Sequence, residues 1–267
     1  RRFHIGRIYK HRVIVVMSGL AMLNSGLTTQ LLLSFFNVTG IIHFGMAGNA
    51  NPSLHVGDVT IPRYWAHTGL WNWQRFGDGS GDELALEVNG DYTRKVGYLR
   101  FAHFNTPSEN STNNLLNNVW YQPEEVFPLS GTPEVREHVF WVPVNKHYYQ
   151  IAKSLEKLRL ESCLNATSCL SHAPKVVRVE RGSSGNVFVD NAAYRSFIHS
   201  RFNISAIDME SAAVGLVSLS QGLPFIVIRA LSDLAGGSSH TNEASVFGGL
   251  ACQNAAHIAI QFVKLLK

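Results

Sequence analysis

Two acidic clusters stand where an α/β chain can deliver chemistry. Ser232-Asp233 closes the β-branched run Pro224–Leu231 and is followed by Gly236-Gly237, which sets a carboxyl group at a strand end before a flexible loop. That placement suits a general acid; the alternative is that Asp233 only caps the next helix. Asp208-Met209-Glu210 opens an Ala-rich helical stretch that runs to Ser220. Acids favour a first helical turn for dipole reasons alone. Close packing by Met209, Ala212 and Ala213 would make an idle carboxylate at Glu210 costly, which favours a ligand role. His43 lies inside the apolar run Gly40–Phe44, just ahead of Gly45-Met46-Ala47-Gly48. It is either a hydrogen-bonded core histidine or a ligand. The loop Arg181–Asn186 (RGSSGN) has the residues of an anion nest, or is simply a loop.

The elements that must position these groups are short and apolar. Arg12–Met17, Gly40–Phe44, Val56–Pro62, Lys175–Glu180 and Pro224–Leu231 read as strands. Helical spacing follows Ser18-Gly19 to about Phe36, recurs at Tyr148, Tyr149, Ile151, Ala152, Leu155 and Leu158, and returns from Leu250 to Leu266. Buried strands alternating with helices predict an α/β fold: one domain over residues 1–267, with a central, mostly parallel (mixed) twisted sheet flanked by helices. The Gly45–Gly48 segment reads as a turn. A long excursion occupies about residues 65–142 and includes a solvated turn at Gly77–Asp82 and an Asn-rich run at Asn105–Asn118. In open α/β sheets, function collects at the carboxyl ends of strands, which selects Gly45–Asn49, Gly182–Val189 and Ser232-Asp233.

Composition limits the function classes. The chain has 267 residues, 45% apolar and 16% charged, with 23 Lys and Arg against 19 Asp and Glu for a net +4. That argues against intrinsic disorder and against a dedicated nucleic-acid binder, because no dense basic run exists. No uninterrupted apolar stretch reaches the roughly 18–20 residues of a membrane helix, so no membrane partner is expected. No H-E-x-x-H or zinc-finger spacing occurs, so no metal is expected. Cys163 and Cys169 bracket a short polar loop and can close a disulfide in an oxidising route; the alternative is three reduced cysteines. Cys252 reads as a buried free thiol. Sequons at Asn37, Asn110, Asn165 and Asn203 tilt the expected compartment toward a secretory or vacuolar route. The chain starts at Arg1 without Met and reads as trimmed.

Four motifs, FGMAGN (44–49), LHVGDVTIP (54–62), IDMESAA (207–213) and RALSD (229–233), occur in an order that resembles the nucleoside phosphorylase and nucleosidase superfamily. The resemblance is strongest to the branch holding 5′-methylthioadenosine/S-adenosylhomocysteine nucleosidase and the plant bark and vegetative storage proteins. It implies cleavage of a ribosyl N-glycosidic bond through an oxocarbenium-like state. Asp233 would be the general acid, oriented by Ser232, and Glu210 would accept hydrogen bonds from the ribose hydroxyls. Met209 would pack on the sugar and Phe188 on the base, with Val189, Ile207, Met46, Ala47 and Gly48 lining the nucleoside. Where phosphorylases place a phosphate-binding Arg and a Ser or Thr, this chain has His43 and Met46. Arg229 would order the nucleophile or a nearby acid, or form a structural salt bridge. The nucleosidase branch activates water with a Glu from a strand that would precede Arg1.

The resulting expectation is cleavage of purine-type or cytokinin ribosides, with phosphorolysis placed ahead of hydrolysis. Inorganic phosphate is a candidate co-substrate, with water the alternative acceptor, and no cofactor is expected. The alternative is a storage protein that keeps the fold with little or no catalysis. The resemblance also implies a homo-oligomer, at least a dimer.

Overall fold

A computed structural model describes residues 2–73, 97–99, 119–237 and 242–266. The chain opens with an antiparallel hairpin, β1 (Phe3–Ile8) and β2 (His11–Val16). Helix α1 (Ala21–Phe35) follows, then β3 (Ile41–Asn49) and β4 (Val59–His67). Short strands β5 (Trp71–Trp73), β6 (Gly97–Leu99) and β7 (Val119–Tyr121) form a small antiparallel sheet. β8 (Glu124–Val126) and β9 (Glu137–Val139) form another, and β10 (Val142–Pro143) returns to the main sheet. Helix α2 (Lys146–Ile151) runs into a 3₁₀ turn, Ala152–Lys157. The remainder is β11 (Val176–Ser184), α3 (Ala192–Phe202), β12 (Ile204–Asp208), α4 (Ser211–Ser220), β13 (Phe225–Leu234) and α5 (Ala244–Leu265).

The main sheet has the order β10-β4-β11-β12-β3-β13, and β4 also pairs with β13, so the sheet curls back on itself. Pairs β4–β11, β11–β12 and β3–β13 are parallel, whereas β4–β10, β3–β12 and β4–β13 are antiparallel. It is therefore more evenly mixed than the strand runs suggest. β13 shows why those runs read as continuous hydrophobic segments. Ile226, Ile228 and Ala230 face Ala251, Ala255, Ile258 and Phe262 of α5. Phe225, Val227 and Leu231 alternate to the other face, against Val214 of α4 and Trp65 of β4. A strand covered on both sides has no polar face to show. A third cluster packs α3 through Ile198 and Phe202 onto Tyr121 of β7, Ile204 and Ile207.

Several expectations change. Gly45–Gly48 is not a turn; it continues β3, because Gly45 to Asn49 pair with residues between Arg229 and Leu234 of β13. The helix expected from Asp208 begins at Ser211, since Asp208 still belongs to β12. α3 and β12 have no counterpart in the sequence reading; β12 spans only five residues, too few to register a period. Cys252 is exposed rather than buried, because the core-facing stripe of α5 passes through Leu250, Ala251, Asn254, Ala255 and Ile258 and leaves position 252 outside. Among the described residues, α5 alone has the length and apolar content to cross a membrane, yet half of that stretch is buried in the core of the protein. Cys163 and Cys169 are joined in a disulfide. Of the excursion, Gly77–Asp82, the whole Asn-rich run and the sequon at Asn110 lie outside the described residues.

Gly182 in β11 lets Trp65 lie flat on the strand: a Cβ there would stand 2.8 Å from three atoms of the indole ring. Trp65 is fully buried and cannot move aside. Gly182→Ala should therefore cost about 1–3 kcal/mol, the usual penalty of overpacking. Urea unfolding measures it, and an unchanged midpoint would show that the indole relaxes freely.

Candidate active site

The carboxyl ends of β3, β12 and β13 meet at an open cleft enclosing about 600 Å³, its mouth included. Ten of the sequence-selected residues line it: Met46, Ala47, Gly48, Phe188, Val189, Ile207, Met209, Glu210, Ser232 and Asp233. Asp208, from the same acidic cluster, and Val187, from the selected Gly182–Val189 segment, also line it; Leu20, Ala235 and Ala244 complete the wall and have no signal in sequence beyond apolar character. His43 and Arg229 do not line the cleft; they lie beneath it.

Asp233 reaches the cleft through a break in strand register. Leu231 pairs with Ala47 and Asp233 with Gly48, so Ser232 is the extra residue of a β-bulge. Bulges of this kind re-aim a side chain next to a functional site. The Ser232 hydroxyl stands 2.6 Å from Asp233 Oδ1, and Asn242 Nδ2 donates to Oδ2 at 3.3 Å. Burial nevertheless raises the Asp233 pKa, with help from the charges of Glu243 and Asp190, against those two hydrogen bonds. An acid so disposed holds its proton longer than an exposed carboxylate. Asp233 does not cap α5, whose N-terminal flank is Glu243.

Glu210 is free to face the cleft because other groups satisfy the start of α4. Asp208 Oδ1 accepts the backbone N–H of Glu210 at 3.0 Å and of Ser211 at 3.1 Å. Ser184 Oγ accepts the N–H of Ala212 at 2.8 Å. With the Glu210 carbonyl accepting from Ala213, the orphan donors of the first helical turn are filled without the Glu210 side chain. Its Oε1 accepts from the Ala21 backbone N–H at 2.9 Å, and its Oε2 lies 3.4 Å from Arg229 Nη2. A carboxylate offers about four lone-pair directions, so acceptor capacity remains for a ligand's hydroxyls.

Under the cleft, Arg229 of β13 reaches across the sheet. Its Nε lies 2.6 Å from Asp208 Oδ2 and donates to Ser211 Oγ at 3.1 Å. Nη1 donates to the Met46 carbonyl at 3.2 Å, and Nη2 lies 2.6 Å from His43 Nε2. Gly45 makes room for it: a Cβ there would stand 2.3 Å from Nη1. Asp208 also accepts from Ser184 Oγ at 2.5 Å and from the Ser211 hydroxyl. Burial alone would raise the Asp208 pKa, but Arg229 and the two hydroxyls outweigh it and hold the pKa below the usual value.

Of the two roles open to His43, the structure places it as a hydrogen-bonded histidine beneath the cleft. An arginine only donates, so His43 Nε2 must accept and its proton sits on Nδ1. Burial, together with the neighbouring guanidinium, lowers its pKa from 6.5 to about 3 against the opposing pull of Asp208. Arg229 is likewise occupied by Asp208, Glu210 and His43. Neither group is a free cation for an anionic acceptor. The described residues that line the cleft include no Lys or Arg, and no cluster of metal-ligating side chains occurs among the described residues. The Arg181–Asn186 segment is no anion nest either. Most of it is the end of β11, where Ser184 supports Asp208 and Asn186 Oδ1 accepts the Met22 N–H at 3.0 Å.

The family model for the phosphorylase superfamily matches residues 1–264. Bark storage protein A of Populus deltoides is 34% identical over 265 residues, which cover 98% of this chain and 77% of that protein. A 5′-methylthioadenosine/S-adenosylhomocysteine nucleosidase of Mycobacterium bovis is 26% identical over 256 residues, covering 95% of this chain and 82% of the relative. Among solved structures, the nucleosidase of that name from Colwellia psychrerythraea, in complex with adenine, has the same fold. Its TM-score is 0.65 at 20% identity, covering 99% of this chain and 83% of that one.

The neutral His43 ring predicts acid sensitivity. In the unfolded chain it takes a proton from about pH 6.5 downward, but in the folded chain only near 3. The stability it confers is whole above pH 6.5 and is lost as pH falls toward 3, by up to ~1.4 kcal/mol per pH unit. His43→Asn should flatten that acid limb when urea unfolding is followed between about pH 7 and pH 4. An equal slope in both proteins would refute the buried neutral ring.

Proposed function

This chain belongs to the phosphorylase superfamily, and from that premise we propose that it cleaves the N-glycosidic bond of purine-type or cytokinin ribosides. The observation that carries the reading is the pair of unlike carboxyl groups in one apolar cleft. Asp233 is pushed toward its protonated form by burial, while Glu210 is held between a backbone N–H and Arg229. Asp233 donates its proton to the ring nitrogen of the departing base, turning a poor leaving group into a neutral one. Glu210 accepts the ribose hydroxyls and offsets positive charge developing on the sugar. Phe188 and Val189 contribute an apolar wall for the base, and Met209 and Met46 one for the sugar.

Water suits the described cleft better than phosphate as the acceptor. The guanidinium of Arg229 is turned to Asp208, and His43 is neutral. A dianion would meet three carboxyl groups, those of Asp208, Glu210 and Asp233, and no described cation. The reading includes self-association, at least to a dimer. Helix α1 carries no charged side chain and leaves Leu23 81%, Leu27 52% and Phe35 68% exposed. An uncharged apolar face of this kind suits a second copy. Sedimentation should show Leu23→Glu shifting the protein toward monomer; a wild type already monomeric would remove this part of the reading.

A second reading, storage with little catalysis, is favoured by one comparison: the 34% identity to a bark storage protein. One assay separates the two. The enzyme reading expects adenosine or a cytokinin riboside to release free base, and Asp233→Asn to reduce that release by about 10²–10⁴-fold. The same substitution should leave stability equal or higher at neutral pH. A carboxyl whose folded pKa is raised opposes folding once it ionises, and the amide removes that charge. Added phosphate should change neither the rate nor the sugar product. No base release from the wild type leaves storage; ribose 1-phosphate among the products establishes phosphorolysis.

A further inference from the structure

The loop closed by Cys163 and Cys169 carries chemistry unrelated to the cleft. Its sequence, Cys-Leu-Asn-Ala-Thr-Ser-Cys, places the N-x-T sequon Asn165-Ala166-Thr167 within six residues' separation of the joined sulfurs. Leu164, Asn165, Ala166 and Thr167 are all exposed. The loop stands on a fixed base. Glu161 and Asn254 of α5 exchange two hydrogen bonds, at 3.0 and 2.8 Å. The Leu164 N–H donates to the Ser168 carbonyl and the Leu170 N–H to the Ser162 carbonyl, both at 2.8 Å. At the tip, Asn165 Oδ1 accepts from Thr167 N at 2.9 Å, Thr167 Oγ1 at 2.9 Å and Ser168 N at 2.8 Å. All three bonds use the carboxamide oxygen and leave the amide nitrogen available.

The two features imply the same compartment. A disulfide persists where thiols are not kept reduced, and that route is where sequons are read. The other described sequons are less accommodating. In Asn203-Ile204-Ser205, Ile204 is fully buried and Ser205 is 2% exposed within β12, its hydroxyl accepting from Asn51 Nδ2. Asn203 itself holds the left-handed C-cap of α3, at φ 54°. In Asn37-Val38-Thr39, Val38 packs against the core. A bulky glycan on Asn165 displaces nothing.

We propose that Asn165 is an N-glycosylation site, and that the disulfide loop presents it clear of the fold. In the covalent step, Nδ2 forms a bond to the anomeric carbon of a lipid-linked oligosaccharide diphosphate. The bond from that carbon to the diphosphate oxygen breaks, the lipid diphosphate leaves with the electron pair, and one amide proton passes to a base of the transferase.

Protein purified from its own tissue supplies the test. Enzymatic release of N-glycans should increase its electrophoretic mobility. The tryptic peptide Leu160–Lys175, after reduction, should then carry Asp at position 165. In a secreting plant-cell host, Asn165→Gln and Thr167→Ala should lose the shift due to this site, while Thr167→Ser keeps it. Recovery of Leu160–Lys175 from tissue with unmodified Asn165 overturns the proposal, even if a shift arises from Asn37, Asn110 or Asn203. Cys163 and Cys169 that alkylate without prior reduction overturn it as well. Neither outcome bears on the cleft, so the proposal stands or falls apart from the enzyme reading.

Discussion

The buried ion pair between Arg229 and Asp208 is the constraint on which the rest of the site depends. It joins the end of β12 to the middle of β13 and draws in β3 through His43 and the Met46 carbonyl. β11 and α4 enter through Ser184 and Ser211. An ion pair of this kind rarely adds much net stability, because both charges must leave water. Losing one partner is a different matter, costing about 3–5 kcal/mol for the charge left behind. The value of the arrangement is positional. Asp208 closes the N-terminus of α4, which spares Glu210 that task and leaves its carboxylate at the cleft.

The same economy governs the other acid. Ser232 is an extra residue in β13, and its insertion turns Asp233 toward the cleft while its hydroxyl steadies Oδ1. Two carboxyl groups a short way apart in the fold thus meet unlike surroundings. One faces apolar walls and keeps its proton more readily; the other has a guanidinium and a backbone N–H against it. Acid and ligand roles separate by environment, not by residue type. Gly45 contributes by absence: only a residue without Cβ admits the guanidinium between β3 and α4.

Much of this was legible from residue order. The strand runs, the C-terminal helix and the four motifs pointed to an α/β sheet, and the rule of carboxyl strand ends chose Ser232-Asp233, which do line the cleft. Ten of the selected residues do share one cleft. What misled was always a question of partners. Gly45–Gly48 reads as a turn until β13 is seen holding it in register. Asp208 reads as a helix start until its bonds to Ser184 and Arg229 place it at a strand end. Asn242, which touches Asp233, has no local signature because its role depends on the chain returning after the loop.

The sequence by itself determined the classes of element, the presence of two acids at element ends and the membership of a family, since these depend on local pattern and motif order. Only the tertiary structure decided the charge states. His43 is offered by sequence as a core histidine or a phosphate ligand, and becomes a neutral acceptor because an arginine from a distant strand points at it. Arg229 is offered as a group that orders an acid or forms a structural salt bridge, and only the fold names its partner as Asp208. Whether a titratable group is charged depends on what desolvates it and what faces it, and both are set by residues far away in the chain.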